Sequence, residues 1–279
     1  MNIKKIIEYY NQCEIDYSLF WGLKKNLSMH MGYWDDTTKN LSQALLRENQ
    51  ILAEIAEIKK SDLVLDAGCG VGGGVIYLAE KVGCNVVGIS IVDKQIEKAR
   101  LNAIKIGVFD KTNFKTVDFV KTGLPDNSFD VVWAIESVCY ANDKKDFIQE
   151  AYRVLKKGGR LVVADAFALD NLTEKQKKYL SETARGWMLD DFCNKNYFQK
   201  SLQKIGFSNI LFKDITKNIM PSSRRLYILS FPGIIFGKIL NKIKFRSKIQ
   251  MGNIWAAHYQ YKALKEGSGQ YGIFYAIKK

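Results

Sequence analysis

The chain predicts an α/β fold built on a parallel sheet, and three features predict it. Residues 64–74 read VLDAGCGVGGG and carry an apolar strand through a glycine turn into an apolar helical pattern. From Leu63 to about residue 168, apolar runs of strand length alternate with segments of helical period, the signature of βαβ units. Ahead of that alternation, residues 1–50 show helical periodicity alone, so a helical cap precedes the sheet.

A length of 279 residues allows one large α/β domain with an insertion or two small domains, and a hydrophobic fraction of 47% is ample for a core. Cys13, Cys69, Cys84, Cys139 and Cys193 are odd in number, scattered and never in a C-x-x-C pair. With no apolar h-region at the N-terminus, they point to a reduced, cytoplasmic setting. His30 and His258 are the only histidines, so no metal cofactor is expected. Of the formal charge of +13, all lies in the last third: residues 200–279 hold 15 Lys and Arg against two acids, and the first 199 hold 27 of each. That third either meets an anionic partner or is a solvated basic face.

The cap is rich in rings, with Tyr9, Tyr10, Tyr17, Phe20, Trp21, Tyr33 and Trp34 in the first 34 positions. They either form core between cap and sheet or wall a pocket. The second reading is taken for Tyr33 and Trp34, which follow the turn-like SMHMG. The first strand, 62–66, ends at Asp66, and the glycines from Gly68 onward let the backbone turn with positive φ and a ligand lie against it. A helix over 73–82 then points unpaired N–H groups at that ligand. Gly68, Gly70 and Gly73 fit the G-x-G-x-x-G of dinucleotide sites, yet Ser90 stands at the end of the second strand (84–89) where that class needs an acid.

A helix over 91–106 follows, with Ser90 as its N-cap, Asp93 in its first turn and the long polar Gln95 near the carboxyl ends of the strands, where ligands bind in open α/β sheets. The third strand (113–118) ends in Asp118 and Phe119, an acid and a ring suited to the amino group and face of an adenine. LPDNSFD is turn chemistry. The fourth strand (129–135) ends in Ile135 and is followed by Glu136, a carboxylate at the mouth of a buried strand that needs a partner or a task. After a helix over 142–155, closed by Gly158 and Gly159, the fifth strand (159–166) sets Asp165 beside Glu136. Helices over 173–206 and a strand over 208–215 come next. Residues 217–269 form an insertion whose apolar stretch 226–236, broken by Pro232 and Gly233, meets Lys238, Lys242, Lys244, Arg246 and Lys248. It is too short to cross a bilayer, which takes ~20 residues. It suits a lid over an apolar pocket or, over residues 224–248, a contact with an anionic membrane surface. The expected division is thus 1–50, 51–216, 217–269 and a last strand in 270–279.

The string Asp-x-Gly-x-Gly-x-Gly from Asp66, the GIS…Gln95 segment, VDF, LPDNSFDVVWAIESVCYA and RVLKKGGRLVVAD fall in an order and spacing that resemble the class I S-adenosylmethionine-dependent methyltransferases. More narrowly they resemble the branch with sterol and tocopherol C-methyltransferases, cyclopropane fatty-acid synthases and small-molecule O- and N-methyltransferases. The resemblance covers about residues 60–168. It implies a Rossmann-like sheet of seven strands, six parallel and a last one antiparallel, and S-adenosylmethionine held by Gly68, Gly70, Ser90, Gln95, Asp118, Phe119 and Ile135. Ser90 departs from the acid usual in the wider class. Where relatives often carry a His after the Glu136 motif, this chain has Cys139 and Tyr140.

Methylating a hydroxyl usually needs a base such as His, whereas methylating an alkene makes a carbocation that rings stabilise and a carboxylate relieves of a proton. The expected function is therefore C-methylation of a lipophilic, isoprenoid- or sterol-like molecule. Glu136, Asp165 and Tyr33 are its expected catalytic residues, with Trp34, Tyr140 and His258 at the substrate. The alternatives are O- or N-methylation of a polar metabolite, and nucleic-acid binding or RNA methylation through the basic third. Against the latter, no Asn-Pro-Pro-Tyr motif is present, and basic residues interleaved with Ile, Leu and Phe favour lipid.

Overall fold

A computed structural model describes residues 3–279. Seven strands, β1 (Leu63–Ala67), β2 (Asn85–Ser90), β3 (Thr112–Thr116), β4 (Phe129–Ile135), β5 (Leu155–Ala168), β6 (Phe207–Asp214) and β7 (Gly269–Lys278), form one sheet in the order β3-β2-β1-β4-β5-β7-β6. Neighbours among β1–β5 are parallel, and β7 runs antiparallel to both β5 and β6. Six strands therefore share one direction, as the resemblance implies. The chain winds outward from β1 through β2 to β3, then returns to β4 on the other side. That reversal opens a crevice at the carboxyl ends of β1 and β4, where ligands of such sheets bind.

The central strands β1 and β4 and the second half of β5 are buried on both faces and so read as near-continuous apolar runs, whereas the edge strands β3 and β6 are largely exposed. Val64, Val131 and Trp133 point to one core, while Leu65, Val132 and Ala134 point to the other, the period of two that a strand imposes. The first core is closed by α3 (Leu41–Ile55), α4 (Gly73–Tyr77) and α5 (Asp93–Ile106), the second by α6 (Lys144–Val154) and α8 (Lys195–Ile205). Around the crevice stand α1 (Ile3–Phe20), which the short α2 (Leu23–Asn26) follows in the chain, α7 (Glu174–Gly186), α9 (Thr216–Lys242) and α10 (Lys248–Lys265).

Cap and insertion are tied together by polar contacts. The carboxylate of Asp16 on α1, buried, accepts from Arg246 Nη2 at 2.7 and 2.6 Å and from Asn253 Nδ2 at 3.1 Å. Asn253 Oδ1 in turn accepts from Tyr9 OH at 2.9 Å. α7 meets α10 backbone to backbone, since a Cβ on Gly186 would lie 2.3 Å from Gly252 O.

Three local expectations need correction. The helix expected over 73–82 changes at Leu78 into a π-helical turn, Leu78–Val82, closed by Gly83 in the left-handed region at φ 83°. Gly158 and Gly159 do not stop a helix: α6 has already ended at Val154, and the glycines lie in β5 where its register with β4 jumps between Phe129 and Val131. Pro232 does not break the chain either, because α9 runs through both Pro221 and Pro232. Both prolines face outward, so the donors they lack are not missing from the packed side. Among the described residues no helix is long and apolar enough to cross a membrane.

Candidate active site

The crevice holds a cavity lined by the ends of β1, β2, β4 and β5 and closed over by α1, α7 and α10. Its floor is the glycine turn. Gly68 has φ 102°, and a Cβ there would lie 2.3 Å from Ser137 Cβ, while Ser137 Oγ donates to Ala67 O. The amides of Gly68 and Cys69 both donate to Ile89 O at 2.9 Å, which ties the turn to β2. Asp66, buried at the end of β1, also lines the cavity, and burial alone lifts its carboxyl from 3.8 to about 7. A carboxylate shifted by desolvation with no compensating cation is suited to receive a positively charged group of a ligand.

Beside the turn, Ser90 Oγ donates to Gln95 Oε1 at 2.9 Å and accepts from Val92 N at 3.2 Å. Ser90 is not the N-cap expected from the sequence, because α5 starts at Asp93 after Val92. Both side chains line the cavity and offer a hydroxyl and an amide where other sheets of this kind offer an acid. Gly70, Phe119 and Ile135 line it too, and Phe119 is braced edge-on against Phe147 at 5.5 Å. Asp118 is not brought to the cavity: its Oδ1 accepts from Val120 N at 3.0 Å and closes its own turn.

The other half of the cavity is built around Glu136. Its φ of 48° is in the left-handed region that non-glycine residues rarely adopt, a strain held by the surrounding contacts. Glu136 Oε1 accepts from Met31 N at 2.7 Å and lies 2.8 Å from Tyr271 OH, which is also 2.8 Å from Glu48 Oε1. Glu48 Oε2 accepts from Gly32 N at 2.7 Å and lies 2.7 Å from His30 Nδ1. One phenolic proton cannot serve two carboxylates, so the Glu136–Tyr271–Glu48 chain holds an additional proton. Burial, then the Glu48 charge, pushes Glu136 well above the carboxylate range, which places that proton on Glu136. Burial pulls His30 down, but the charge and hydrogen bond of Glu48 outweigh it and His30 ends above its ordinary value. His30 Nε2 is buried and has no protein partner among the described residues, and His30 lines the cavity.

Since Ile135 pairs with Ala164, Glu136 at the end of β4 stands beside Asp165 within β5, as expected. Asp165 accepts from Cys139 N and Ala166 N, each at 2.8 Å, and burial lifts it to about 6. Tyr140 lines the cavity with its ring 5.6 Å from that of Tyr10, and its hydroxyl donates to Trp187 O at 3.1 Å. With Tyr17 and Trp21 of the cap, they make an aromatic wall.

Tyr33, Trp34 and His258 lie elsewhere. Gly32, at φ 78° and with its Cβ position 2.9 Å from the α3 backbone, turns the chain away after Met31. Residues 28–31 thus face the cavity, while Tyr33 goes under Lys213 Nζ at 5.7 Å and Trp34 Nε1 donates to Ser222 Oγ of α9 at 2.8 Å. His258 sits between α9 and α10, its Nδ1 3.0 Å from Ser230 Oγ, among Tyr227, Phe231, Trp255 and Tyr259. The sequence reading missed His30, Glu48 and Tyr271. Glu48 carries a legible signal, a carboxylate inside the apolar stripe Ala44, Leu45, Ile51 and Leu52 of α3.

Residues 65–163 match the family model described as a methyltransferase domain. The sterol 24-C-methyltransferase of Saccharomyces cerevisiae is 33% identical over 214 residues, 75% of this chain and 54% of that protein. The 27-O-demethylrifamycin SV methyltransferase of Amycolatopsis mediterranei is 34% identical over 197 residues, 70% of this chain and 72% of that one. The chain belongs to the S-adenosylmethionine-dependent methyltransferases. Its match spans about half the length of the yeast relative. In fold the methyltransferase is similar to a cyclopropane synthase of Mycobacterium tuberculosis, with a TM-score of 0.84 at 13% identity over 100% of this chain and 99% of that one.

The cavity floor fits the donor of this family: the turn at Gly68 and Gly70 leaves the backbone bare, Asp66 has no cation beside it among the described residues, and Ser90 with Gln95 would offer polar contacts to ribose hydroxyls. A pH dependence follows. The cationic donor favours ionised Asp66, so its affinity is expected to fall as pH drops through about 7, with release of a proton on binding on the acid side. Calorimetry in buffers of different ionisation enthalpy checks this, with Asp66→Asn as the control that loses the dependence. An affinity flat from weakly acid to weakly basic pH would count against it.

Proposed function

We propose that this methyltransferase transfers a methyl group to carbon in a lipophilic small molecule of isoprenoid or sterol-like kind. The observation that carries the reading is a half-buried, strained carboxylate, Glu136, facing a cavity walled by rings. When bound, S-adenosylmethionine supplies an electrophilic methyl group on a sulfonium. The faces of Tyr10, Tyr17, Trp21 and Tyr140 stabilise positive charge left on the acceptor, by cation–π attraction of about 2 kcal/mol or more where desolvated. Glu136, ionised when a cation occupies the neighbouring floor, takes the proton that the methylated carbon must lose. Tyr271 bridges Glu136 to Glu48 and lets that proton be shared towards His30. Asp165, held by two amides, stands beside it as a second negative group.

In this reading residues 217–269 serve as a lid, since α9 and α10 contribute Ile219, Gln260, Ala263 and Leu264 to the cavity lining and keep water out. The yeast sterol relative supports carbon as the acceptor atom. A lipophilic acceptor also gives a cytoplasmic protein reason to visit an anionic membrane surface.

A second reading has its own observation. His30 lines the cavity, its buried Nε2 has no protein partner among the described residues and its Nδ1 is backed by Glu48, an arrangement suited to a general base for a hydroxyl acceptor. The rifamycin relative supports O-methylation. Incubation with methyl-labelled donor and extracted lipids separates the two: label is expected on carbon in the non-saponifiable fraction. Label confined to methyl ethers or polar amines would reject the first reading.

A further inference from the structure

The outer face of α9 is more apolar than its packed face, the reverse of a helix that belongs to a water-soluble surface. The residues it buries are largely small or polar, Ser222, Ser223, Ser230 and Gly237 beside Ile219 and Leu226. The residues it turns outward are large: Ile228, Ile235, Phe236 and Ile239, with Ile243 at its C-cap, between 55% and 64% exposed. Phe245, just past the helix, is 82% exposed. Contiguous exposed apolar patches of this kind mark contact sites on soluble proteins.

The surrounding charge says what the contact is. Between Asp214 and Glu266 the chain has ten Lys and Arg and no acid. Arg246 is used internally on Asp16 and Arg225 on Phe20 O, but Lys238, Lys242, Lys244 and Lys248 stand exposed along the same helix and the turn after it. A second copy of the chain docked two-fold on this face would bring these lysines against their own equivalents with no carboxylate between them. An anionic lipid surface supplies both the apolar layer for the Ile and Phe side chains and the counter-charge for the lysines.

We propose that α9 and the turn after it form a docking surface for the anionic face of a lipid bilayer, with Ile235, Ile239 and Phe245 inserted at the headgroup boundary and Lys238, Lys242 and Lys244 on the headgroups. The surface lies outside the cavity and does not depend on the acceptor being lipophilic.

Co-sedimentation of the whole chain with phosphatidylcholine vesicles, with and without phosphatidylglycerol, tests it. The wild type is expected to partition onto the phosphatidylglycerol vesicles, and less so as salt rises. I235S/I239S/F245S is expected to lose at least about tenfold in partition coefficient. K238E/K242E/K244E, with about fivefold for each lysine removed, should lose about a hundredfold or more. All six positions are exposed, and unchanged calorimetric binding of S-adenosylhomocysteine confirms that both variants remain folded. Three results would each overturn the proposal: wild type that stays in the supernatant, an apolar-face variant that sediments as well as wild type, or a wild-type dimer that this variant makes monomeric.

Discussion

Glu136→Gln is expected to lower kcat by ~10²–10⁴ while leaving the affinity for S-adenosylmethionine within about threefold, because general base catalysis contributes on that order. Gln keeps the size of the side chain and one acceptor oxygen for Met31 N and Tyr271 OH, so the left-handed backbone at this position keeps its restraints. What it loses is the capacity to take a proton. The pH profile carries the same information. Glu136 is raised by burial and by Glu48, so in the folded state it keeps its proton at pH values where the unfolded chain has ionised. Its contribution to stability is full below the ordinary carboxylate range and is lost as pH rises towards the raised value. As a base it must be ionised, so kcat/KM rises with pH along that same limb, and the limb disappears in Glu136→Gln. Single-turnover rates with labelled donor measure both. A variant that keeps wild-type turnover shifts the proton to His30 and with it the reading to O-methylation.

The fold was legible because its signals are local. An apolar strand followed by Asp66 and the glycine turn states its own geometry, and the β4 and β5 runs are apolar on both faces because helices cover both. The donor half of the cavity shares this property: Gly68, Gly70, Ser90 and Gln95 belong to two consecutive βα turns. Asp118 shows the limit, since an acid at a strand end serves its own turn as readily as a ligand, and only the direction of its carboxyl decides. The acceptor half was less legible because it is assembled across the chain. Glu136 meets Tyr271 135 residues away, and Tyr271 meets Glu48 at a separation of 223. Tyr33 and Trp34 were misplaced by a single turn at Gly32, which exchanges them for His30 and Met31 at the cavity wall. His258 was misplaced for a different reason: two successive helices of the insertion bury it against each other.

Glu48→Ala is expected to be the most destabilising single substitution around the site, by about 3–5 kcal/mol, because it removes from one side a fully buried carboxylate hydrogen-bonded to a buried histidine and a buried amide. The change strands Nδ1 of His30 and the amide of Gly32, and takes from the Tyr271 hydroxyl one of its two carboxylate partners. These belong to the cap, the turn that aims it and the last strand, so the loss spreads across the closure of the cavity. In a chain of this size such a loss lowers Tm by roughly 6–15 °C, readable by calorimetry. Glu48→Gln separates the contributions. It keeps an acceptor for Gly32 and a partner for Tyr271 but removes the charge that holds His30 above its ordinary value. A raised His30 stabilises the fold fully below its unfolded value, and that stability is lost as pH rises through the folded one. In Glu48→Gln the two largest effects that raise His30 are gone and only the smaller one of Glu136 still opposes burial, so His30 is pulled down, the sign reverses and acid becomes destabilising. A Glu48→Gln protein whose stability still falls as pH rises through this range would show that Glu136, with its own raised carboxyl, dominates the titration of the cluster.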